Sequence, residues 1–170
     1  FNSLNAFIVK GDRANGMELT FASLMVRAFD EPDAVYPLAA EELTVSPDGL
    51  VFRFRLRPGI TFHDGSEITA SDVAFSLTTL KTKGHPAYSS VLRDLAEATV
   101  EDKRTVQLRF QPTRGLDVPA LAAAMPIFSE KYYSTRPFDE TSLEAPLGSG
   151  PYRVGRFEQG RYVEFERVKN

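Results

Sequence analysis

The feature of this sequence that most constrains its fold is the segment VFRFRLR at positions 51–57. From Phe52 onwards, apolar residues occupy the even positions and arginines occupy positions 53, 55 and 57. A strict period of two is the pattern of a strand with one face buried and the other in water. Turn residues bound the segment, with PDG at 47–49 before it and PG at 58–59 after it. The sequence therefore predicts a sheet whose apolar face is covered by other elements.

The arginine row at positions 53, 55 and 57 has two interpretations. Three cations on one strand face are compatible with an anion-binding site. They are also compatible with a solvated sheet face, and this interpretation is favoured because long cationic side chains commonly cover such faces.

Further elements are predicted on both sides of this strand. Thr69 and Asp72 have capping-box spacing before an amphipathic helix over 70–81, and shorter helical segments are expected at 88–95, 118–125 and 129–133. Hairpins are expected to pair 43–46 with 51–57, 98–100 with 105–110, and 152–157 with 162–166. The predicted fold class is α+β, with antiparallel hairpins and packed helices.

Composition excludes several classes of protein. The 170 residues suit one domain or two small subdomains. The absence of cysteine excludes disulfides, thiolate zinc sites and cysteine nucleophiles, and no apolar run reaches the roughly 18–20 residues of a membrane span. A net charge of -3 argues against a nucleic-acid surface. Most of the thirteen phenylalanines are expected to pack in the core.

The two ends of the sequence indicate a part of something longer. The chain begins at Phe1 without an initiator methionine or a signal segment. Its last residues stop just after a strand-like alternation.

Residues with catalytic potential are few. His63 beside Asp64 is compatible with a general-base pair, but a turn residue next to a turn former is the favoured interpretation. The segment GSG at 148–150 lacks the lysine and the following helix of a phosphate loop. We therefore expect no catalytic residue, no metal site and no cofactor, and a protein that is not an enzyme. Tyr88, in the loop-like segment 84–90, is the aromatic residue least explained by core packing.

Six motifs occur in a specific order: PLAAE at 37–41, PDG at 47–49, FRFRLRPG at 52–59, FHDGSEITASDVAFS at 62–76, PLGSGPY at 146–152 and FERVKN at 165–170. This order resembles the N-terminal lobe of the family 5 extracellular solute-binding proteins, the peptide-, dipeptide- and nickel-binding receptors of bacterial ABC importers. LMV at 24–26 followed by FDEP at 29–32 is most similar to the YejA-type subgroup, which is associated with uptake of oligopeptides and murein peptides.

The resemblance implies a periplasmic-binding-protein-like fold (type II, cluster C) of which this chain is a lobe I fragment. Residues 1–21 and 147–170 are then parts of the lobe I core sheet, and 22–146 form an additional subdomain. The second lobe, which closes over the ligand, is absent. The implied protein captures oligopeptides in the periplasm, or at the surface of a Gram-positive cell through a lipid anchor, and delivers them to the membrane subunits of an ABC permease.

The resemblance also implies ligand-binding residues. The segment after the Leu-Asn motif lies extended beside the ligand in peptide-binding members, which corresponds here to Lys10, Gly11 and Asp12. Main-chain pairing of this kind gives sequence-tolerant affinity. Lys10 replaces an acid found in some members, so it is expected to face a carboxylate. Tyr88 is one position away from an aromatic residue that touches the ligand in some members.

Two alternatives remain open. The same family frame binds non-peptide solutes such as nickel chelates, opines, heme or oligosaccharides, and specificity depends largely on the absent lobe. The other alternative is a hydrolase that uses His63 and Asp64. The fragment by itself is expected to bind peptide weakly or not at all.

Overall fold

The computed structural model describes residues 1–28, 30–31 and 34–169, and the fold is α+β as predicted. The strands are β1 (Met25–Arg27), β2 (Val35–Pro37), β3 (Ala40–Val45), β4 (Val51–Leu56), β5 (Leu95–Asp102), β6 (Thr105–Phe110), β7 (Tyr152–Glu158) and β8 (Tyr162–Arg167). The helices are α1 (Ala70–Lys83), α2 (Pro86–Val91), α3 (Val118–Ala123) and α4 (Glu130–Tyr133), with 3-10 turns at Met17–Thr20 and Leu92–Asp94.

The alternating strand lies inside a four-stranded antiparallel sheet with the order β3-β4-β6-β5. Phe54 on β4 is opposite Val106 on β6, and both side chains are buried. Because side chains alternate across a strand, this register places every second residue of β4 on the apolar face. The prediction of a half-buried strand is confirmed, although the strand ends at Leu56, one residue before its predicted end.

Helix α1 covers the apolar face of this sheet. It begins where predicted, because the Asp72 carboxylate accepts a hydrogen bond from the backbone N–H of Thr69 at 2.8 Å. Val73, Leu77 and Leu80 recur at helical spacing and are buried in the main core. The helix continues to Lys83, two residues beyond the predicted end.

The arginine row lies on the solvated face of the sheet, which agrees with the favoured interpretation. Arg53 pairs with Glu101 at 2.5 Å, and Arg55 pairs with Glu42 at 2.6 Å. Arg57 donates to the carbonyl of Leu38 at 2.8 Å. Since each cation already has a partner on the protein, the anion-site interpretation is not supported.

Element boundaries differ from the prediction in several places. The helix expected at 88–95 begins at Pro86, becomes a 3-10 turn at Leu92–Asp94 and gives way to β5 at Leu95. The helix expected to reach 125 ends at Ala123. The short pair β1–β2 was not predicted, and two residues of the motif at 29–32, Phe29 and Pro32, lie outside the described residues.

The last hairpin, β7–β8, forms a separate two-stranded sheet with a small core of its own. Phe165 and Val154 pack there against the buried residues Leu4 and Met17. The N-terminal segment and the C-terminal hairpin thus meet beside the larger core. The division into 1–21 with 147–170 and 22–146 stays a prediction.

Candidate functional site

The segment implied to pair with a ligand lies on the surface. Lys10, Gly11 and Asp12 are all exposed. Gly11 has φ +78°, and an added Cβ would lie 2.6 Å from Oδ1 of Asn2. Only glycine adopts this conformation readily and fits this space. The local shape of the segment therefore depends on Gly11.

The main chain of this segment is only partly available. The Asp12 carbonyl accepts hydrogen bonds from the N–H groups of Asn2 and Ser3 at 2.8 and 3.1 Å, and the Asp12 N–H donates to Oδ1 of Asn2 at 2.8 Å. Lys10 and Gly11 make no backbone hydrogen bond within the described part of the chain. The main chain at Lys10 and Gly11 is therefore available to a ligand, whereas Asp12 already pairs with the N-terminus. The expectation that this segment is extended is wrong, because the chain bends at 7–11 and Gly11 has a positive φ.

The Lys10 side chain faces a carboxylate of its own chain. Its Nζ lies 2.5 Å from Oε1 of Glu140. This hydrogen bond raises the pKa of Lys10, with a further favourable charge interaction from Asp139. Both partners are about half exposed, so the pair is open to competition from a ligand carboxylate.

Tyr88 lies on helix α2, which corrects the loop-like interpretation of 84–90. Nδ1 of His85 accepts a hydrogen bond from the N–H of Ala87 at 3.1 Å and caps the helix, and Pro86 occupies its first turn, where no N–H is needed. The Tyr88 ring packs against Phe7 with 5.8 Å between ring centroids. Burial raises the pKa of Tyr88, so its hydroxyl stays protonated at neutral pH.

Tyr88 lines an open cavity of about 380 Å³. The other lining residues are Ala6, Arg13, Ala14, Asn15, Gly16 and Glu18. Both ends of the segment 6–14 therefore reach the cavity, while Lys10, Gly11 and Asp12 at its middle do not line it. Sequence reasoning missed Arg13, Asn15 and Glu18, because only the chain path brings them beside Tyr88.

A wider cavity of about 550 Å³ shares Glu18 with the Tyr88 cavity. Its lining is mostly apolar and includes Leu19, Val26 and Leu38, each of which is more than two-fifths exposed. The Tyr88 cavity is the more suitable of the two for a polar solute, since its lining includes the cation Arg13 and Tyr88, whose hydroxyl has no partner among the described residues.

His63 and Asp64 do not form a catalytic pair. Nε2 of His63 lies 2.9 Å from the carbonyl oxygen of Gly150, to which it donates, and the Asp64 carboxylate accepts from the N–H and the hydroxyl of Ser66. These hydrogen bonds lower the pKa of Asp64. The two side chains thus have separate structural partners.

Among the described residues, no group of three histidine, aspartate or glutamate side chains is arranged to hold a metal ion. In the same part of the chain, no helix is long and apolar enough to cross a membrane.

Comparison with known proteins gives matches in both sequence and fold. A sequence model described as bacterial extracellular solute-binding proteins, family 5 middle, matches residues 34–170. A putative binding protein of Brucella melitensis and the peptidoglycan-binding protein YepA of Agrobacterium fabrum are each 32% identical over 98% of this chain. A probable peptide-binding protein YejA of Agrobacterium fabrum is 28% identical over 98% of the chain.

The chain spans about 29% of the length of these first relatives. Among solved structures, NikZ from Campylobacter jejuni in complex with Ni(L-His) superposes with a TM-score of 0.80 at 24% identity, over 98% of this chain and 33% of NikZ. The oligopeptide-binding protein AppA from Bacillus subtilis, in complex with a nonapeptide, has a TM-score of 0.79 at 22% identity, over 96% of this chain and 34% of AppA. These similarities establish the fold as that of a periplasmic binding protein, of which this chain covers about a third.

Proposed function

Because the chain belongs to family 5 of the bacterial extracellular solute-binding proteins, we propose that it is part of the substrate-binding component of an ABC importer that captures oligopeptides. Proteins of this family bind small solutes and work with ABC permeases, and they are typically periplasmic or extracellular. We extend this to a periplasmic location, or a lipid-anchored one at a Gram-positive surface. The permease subunits are the proposed membrane partner.

The observation that carries the oligopeptide assignment is the unpaired, exposed main chain at Lys10 and Gly11. The N–H and C=O groups of a peptide can serve as partners for the main-chain groups of Lys10 and Gly11, so a peptide gains affinity without a particular side-chain sequence. Relatives whose names specify peptide or peptidoglycan binding support the same class of ligand.

The proposed ligand-binding residues are Lys10, Gly11, Asp12 and Tyr88. Lys10 and Gly11 supply main-chain groups, and Asp12 fixes the segment through its hydrogen bonds to Asn2 and Ser3. Tyr88 supplies an aromatic face at the cavity. In the proposed division, 1–21 with 147–170 belong to the core sheet of a first lobe, and 22–146 form a subdomain attached to it.

A non-peptide solute is the second candidate within the family. It is favoured by the fold shared with NikZ, whose structure holds Ni(L-His), and with AgaA from A. tumefacien R10, whose structure holds agropinic acid and which is 27% identical to this chain. Nickel chelates, opines and oligosaccharides are therefore the competing ligands in the test.

Calorimetric titration of the longest natural form of the protein tests the proposal. Peptides of two to five residues, a nickel–histidine chelate and an opine are titrated separately. Tyr88→Ala is expected to weaken peptide binding by roughly tenfold, since a lost aromatic contact costs on the order of 1 kcal/mol or more. Tyr162→Ala, which removes an exposed tyrosine on β8, is the matched control. Binding of the chelate or the opine without any peptide would contradict the oligopeptide assignment.

A further inference from the structure

The Tyr88 cavity is lined by two opposite charges that have no partner in the part of the chain that the structure describes. Arg13 and Glu18 are both exposed, and neither side chain makes an ion pair or a hydrogen bond to those residues. Elsewhere on the surface, arginine side chains regularly pair with carboxylates of the same chain. Examples are Arg53, Arg55, Arg104, Arg136, Arg153, Arg156 and Arg161.

Arg13 is held in place by its backbone and not by its side chain. Residues Ser3 and Arg13 form an isolated parallel bridge, and the following N–H, that of Ala14, donates to the Ser3 carbonyl at 2.9 Å. Ala14 is buried directly beside it. The guanidinium is thus presented to the cavity from a fixed main chain, while its five donors remain available.

Tyr88 adds a hydrogen-bond donor on the same cavity. Its ring is fixed against Phe7, and its hydroxyl makes no hydrogen bond to any residue that the structure describes. Both Arg13 and Glu18 are close enough to Tyr88 to act on it electrostatically. Two residues that line one cavity and carry a guanidinium and a phenol hydroxyl are complementary to a carboxylate, which Arg can bind through two parallel hydrogen bonds.

Glu18 restricts the ligand further. It lies in the 3-10 turn Met17–Thr20, and its negative charge would repel a second carboxylate. The same charge attracts an ammonium group. A ligand with one carboxylate and one ammonium therefore matches the cavity better than a dicarboxylate does.

We propose that the Tyr88 cavity binds a short peptide-like solute with both ends free, with Arg13 and the Tyr88 hydroxyl on its carboxylate and Glu18 facing its ammonium. The assignment rests on the proposed function, because it names the pattern of charges that this cavity selects in a peptide-like solute. Arg13 and Glu18 are then specificity-determining residues that act beside the main-chain contacts of Lys10 and Gly11.

The test compares trialanine that has both ends free with its C-terminal amide and its N-acetyl form. Each is titrated into the ¹⁵N-labelled longest natural form of the protein, and the amide signals of Asn15 and Gly16 are followed by NMR. Amidation is expected to weaken binding by roughly tenfold or more, because it removes a charge-assisted hydrogen bond. Acetylation is expected to weaken it less, because Glu18 is the single carboxylate of the lining and faces the ammonium without a second charged acceptor beside it.

Variants assign these effects to residues. Arg13→Gln should abolish the difference between trialanine and its amide, and Arg13→Lys should restore part of it. Glu18→Gln should abolish the effect of acetylation alone. Arg109→Gln, which removes an exposed arginine of β6 that does not line the cavity, is the matched control.

Three results would overturn the assignment. One is the absence of any trialanine-dependent shift at Asn15 and Gly16 at millimolar concentration. Another is equal binding of trialanine and its amide. The third is an Arg13→Gln variant that loses stability without losing carboxylate discrimination, since Arg13 would then pair with another part of the protein. If longer peptides still bind in calorimetry, only the cavity assignment fails and the oligopeptide function stands.

Discussion

The imidazole of His63 donates a hydrogen bond to the carbonyl of Gly150, a residue 87 positions later in the chain, across 2.9 Å. The backbone N–H of His63 donates to the Gly148 carbonyl at 2.8 Å. On its other side, the same glycine segment pairs with Thr20, whose carbonyl accepts from the N–H groups of Ser149 and Gly150 at 2.9 and 2.8 Å. The GSG segment is therefore held between His63 and Thr20, where it leads from the main core into the last hairpin.

Gly150→Ala is expected to destabilise the protein strongly. An added Cβ would lie 2.6 Å from both the carbonyl oxygen of Leu19 and the amide nitrogen of Phe21. Because these are backbone atoms, they cannot move without disturbing the packing, and overpacking of this kind costs roughly 1–3 kcal/mol. Urea denaturation measures the change. Gly115→Ala is the matched control, since its nearest contact is 3.6 Å from a Val118 methyl; equal effects of the two substitutions would contradict the prediction.

His63→Ala is expected to reduce stability and leave Asp64 unaffected. It removes the hydrogen bond to Gly150, which contributes on the order of 1 kcal/mol. Asp64 keeps its hydrogen bonds from Ser66. The free energy of unfolding from urea titrations checks this, with Asp64→Asn compared in parallel. A hydrolytic activity that is lost in both variants would support the catalytic pair instead.

Asp72→Ala is expected to cost more than the loss of an ordinary surface carboxylate. One oxygen of Asp72 accepts from the Thr69 N–H at 2.8 Å, and the other accepts from the Glu130 N–H at 2.9 Å. Asp72 is only 6% exposed, so its removal leaves donors on α1 and α4 without partners. We expect a loss of roughly 2 kcal/mol or more by urea denaturation. Asp117→Ala should cost distinctly less, because the Asp117 side chain makes no capping hydrogen bond at the start of α3.

Stability is expected to fall in acid through the turn aspartates. Hydrogen bonds from the Ser46 hydroxyl lower the pKa of Asp48, those from Ser66 lower the pKa of Asp64, and the Arg104 N–H lowers the pKa of Asp102. A carboxyl whose pKa is lower in the folded state stabilises the protein above its unfolded pKa of about 4. This contribution is lost as the pH falls from there through the folded-state pKa. In a triple variant that combines Asp48→Asn, Asp64→Asn and Asp102→Asn, the unfolding midpoint should depend less steeply on pH in this acid range than in the unsubstituted protein. An unchanged slope would contradict the prediction.

Tyr133→Phe is expected to change the free energy of unfolding by no more than about 0.5 kcal/mol, because removing a hydroxyl that has no hydrogen-bond partner costs little stability. The Tyr133 ring packs edge-on against Phe128 and Phe138, but its hydroxyl makes no hydrogen bond to the residues that the structure describes. Burial raises the pKa of this hydroxyl. Tyr133→Ala should cost roughly 3–5 kcal/mol, as for other large aromatic truncations. Thermal unfolding of the two variants separates ring packing from the hydroxyl.

Local patterns predicted the elements whose causes are local. The alternation at 51–57 predicted β4, and the Thr69–Asp72 spacing predicted the start of α1. Boundaries were less predictable where an element ends by contact with another part of the chain. The segment at 88–95 shows this, since Leu95 joins β5 by pairing with Phe110 on β6.

The sequence by itself determined the fold class, the turn positions and the family, because periodicity, caps and ordered turn motifs depend on neighbouring residues. Tertiary structure alone decided which side chains share a space. It paired Lys10 with Glu140, placed His63 within hydrogen-bond distance of Gly150, and brought Arg13 and Glu18 beside Tyr88. The physical reason is that hydrogen bonds, ion pairs and cavity walls are formed between atoms a few ångströms apart, and residues 70 or more positions apart reach that distance only when the chain has folded. The alternating strand determined a sheet with a solvated arginine face, whereas the fold of the N-terminal segment against Tyr88 on α2 determined where the cavity opens.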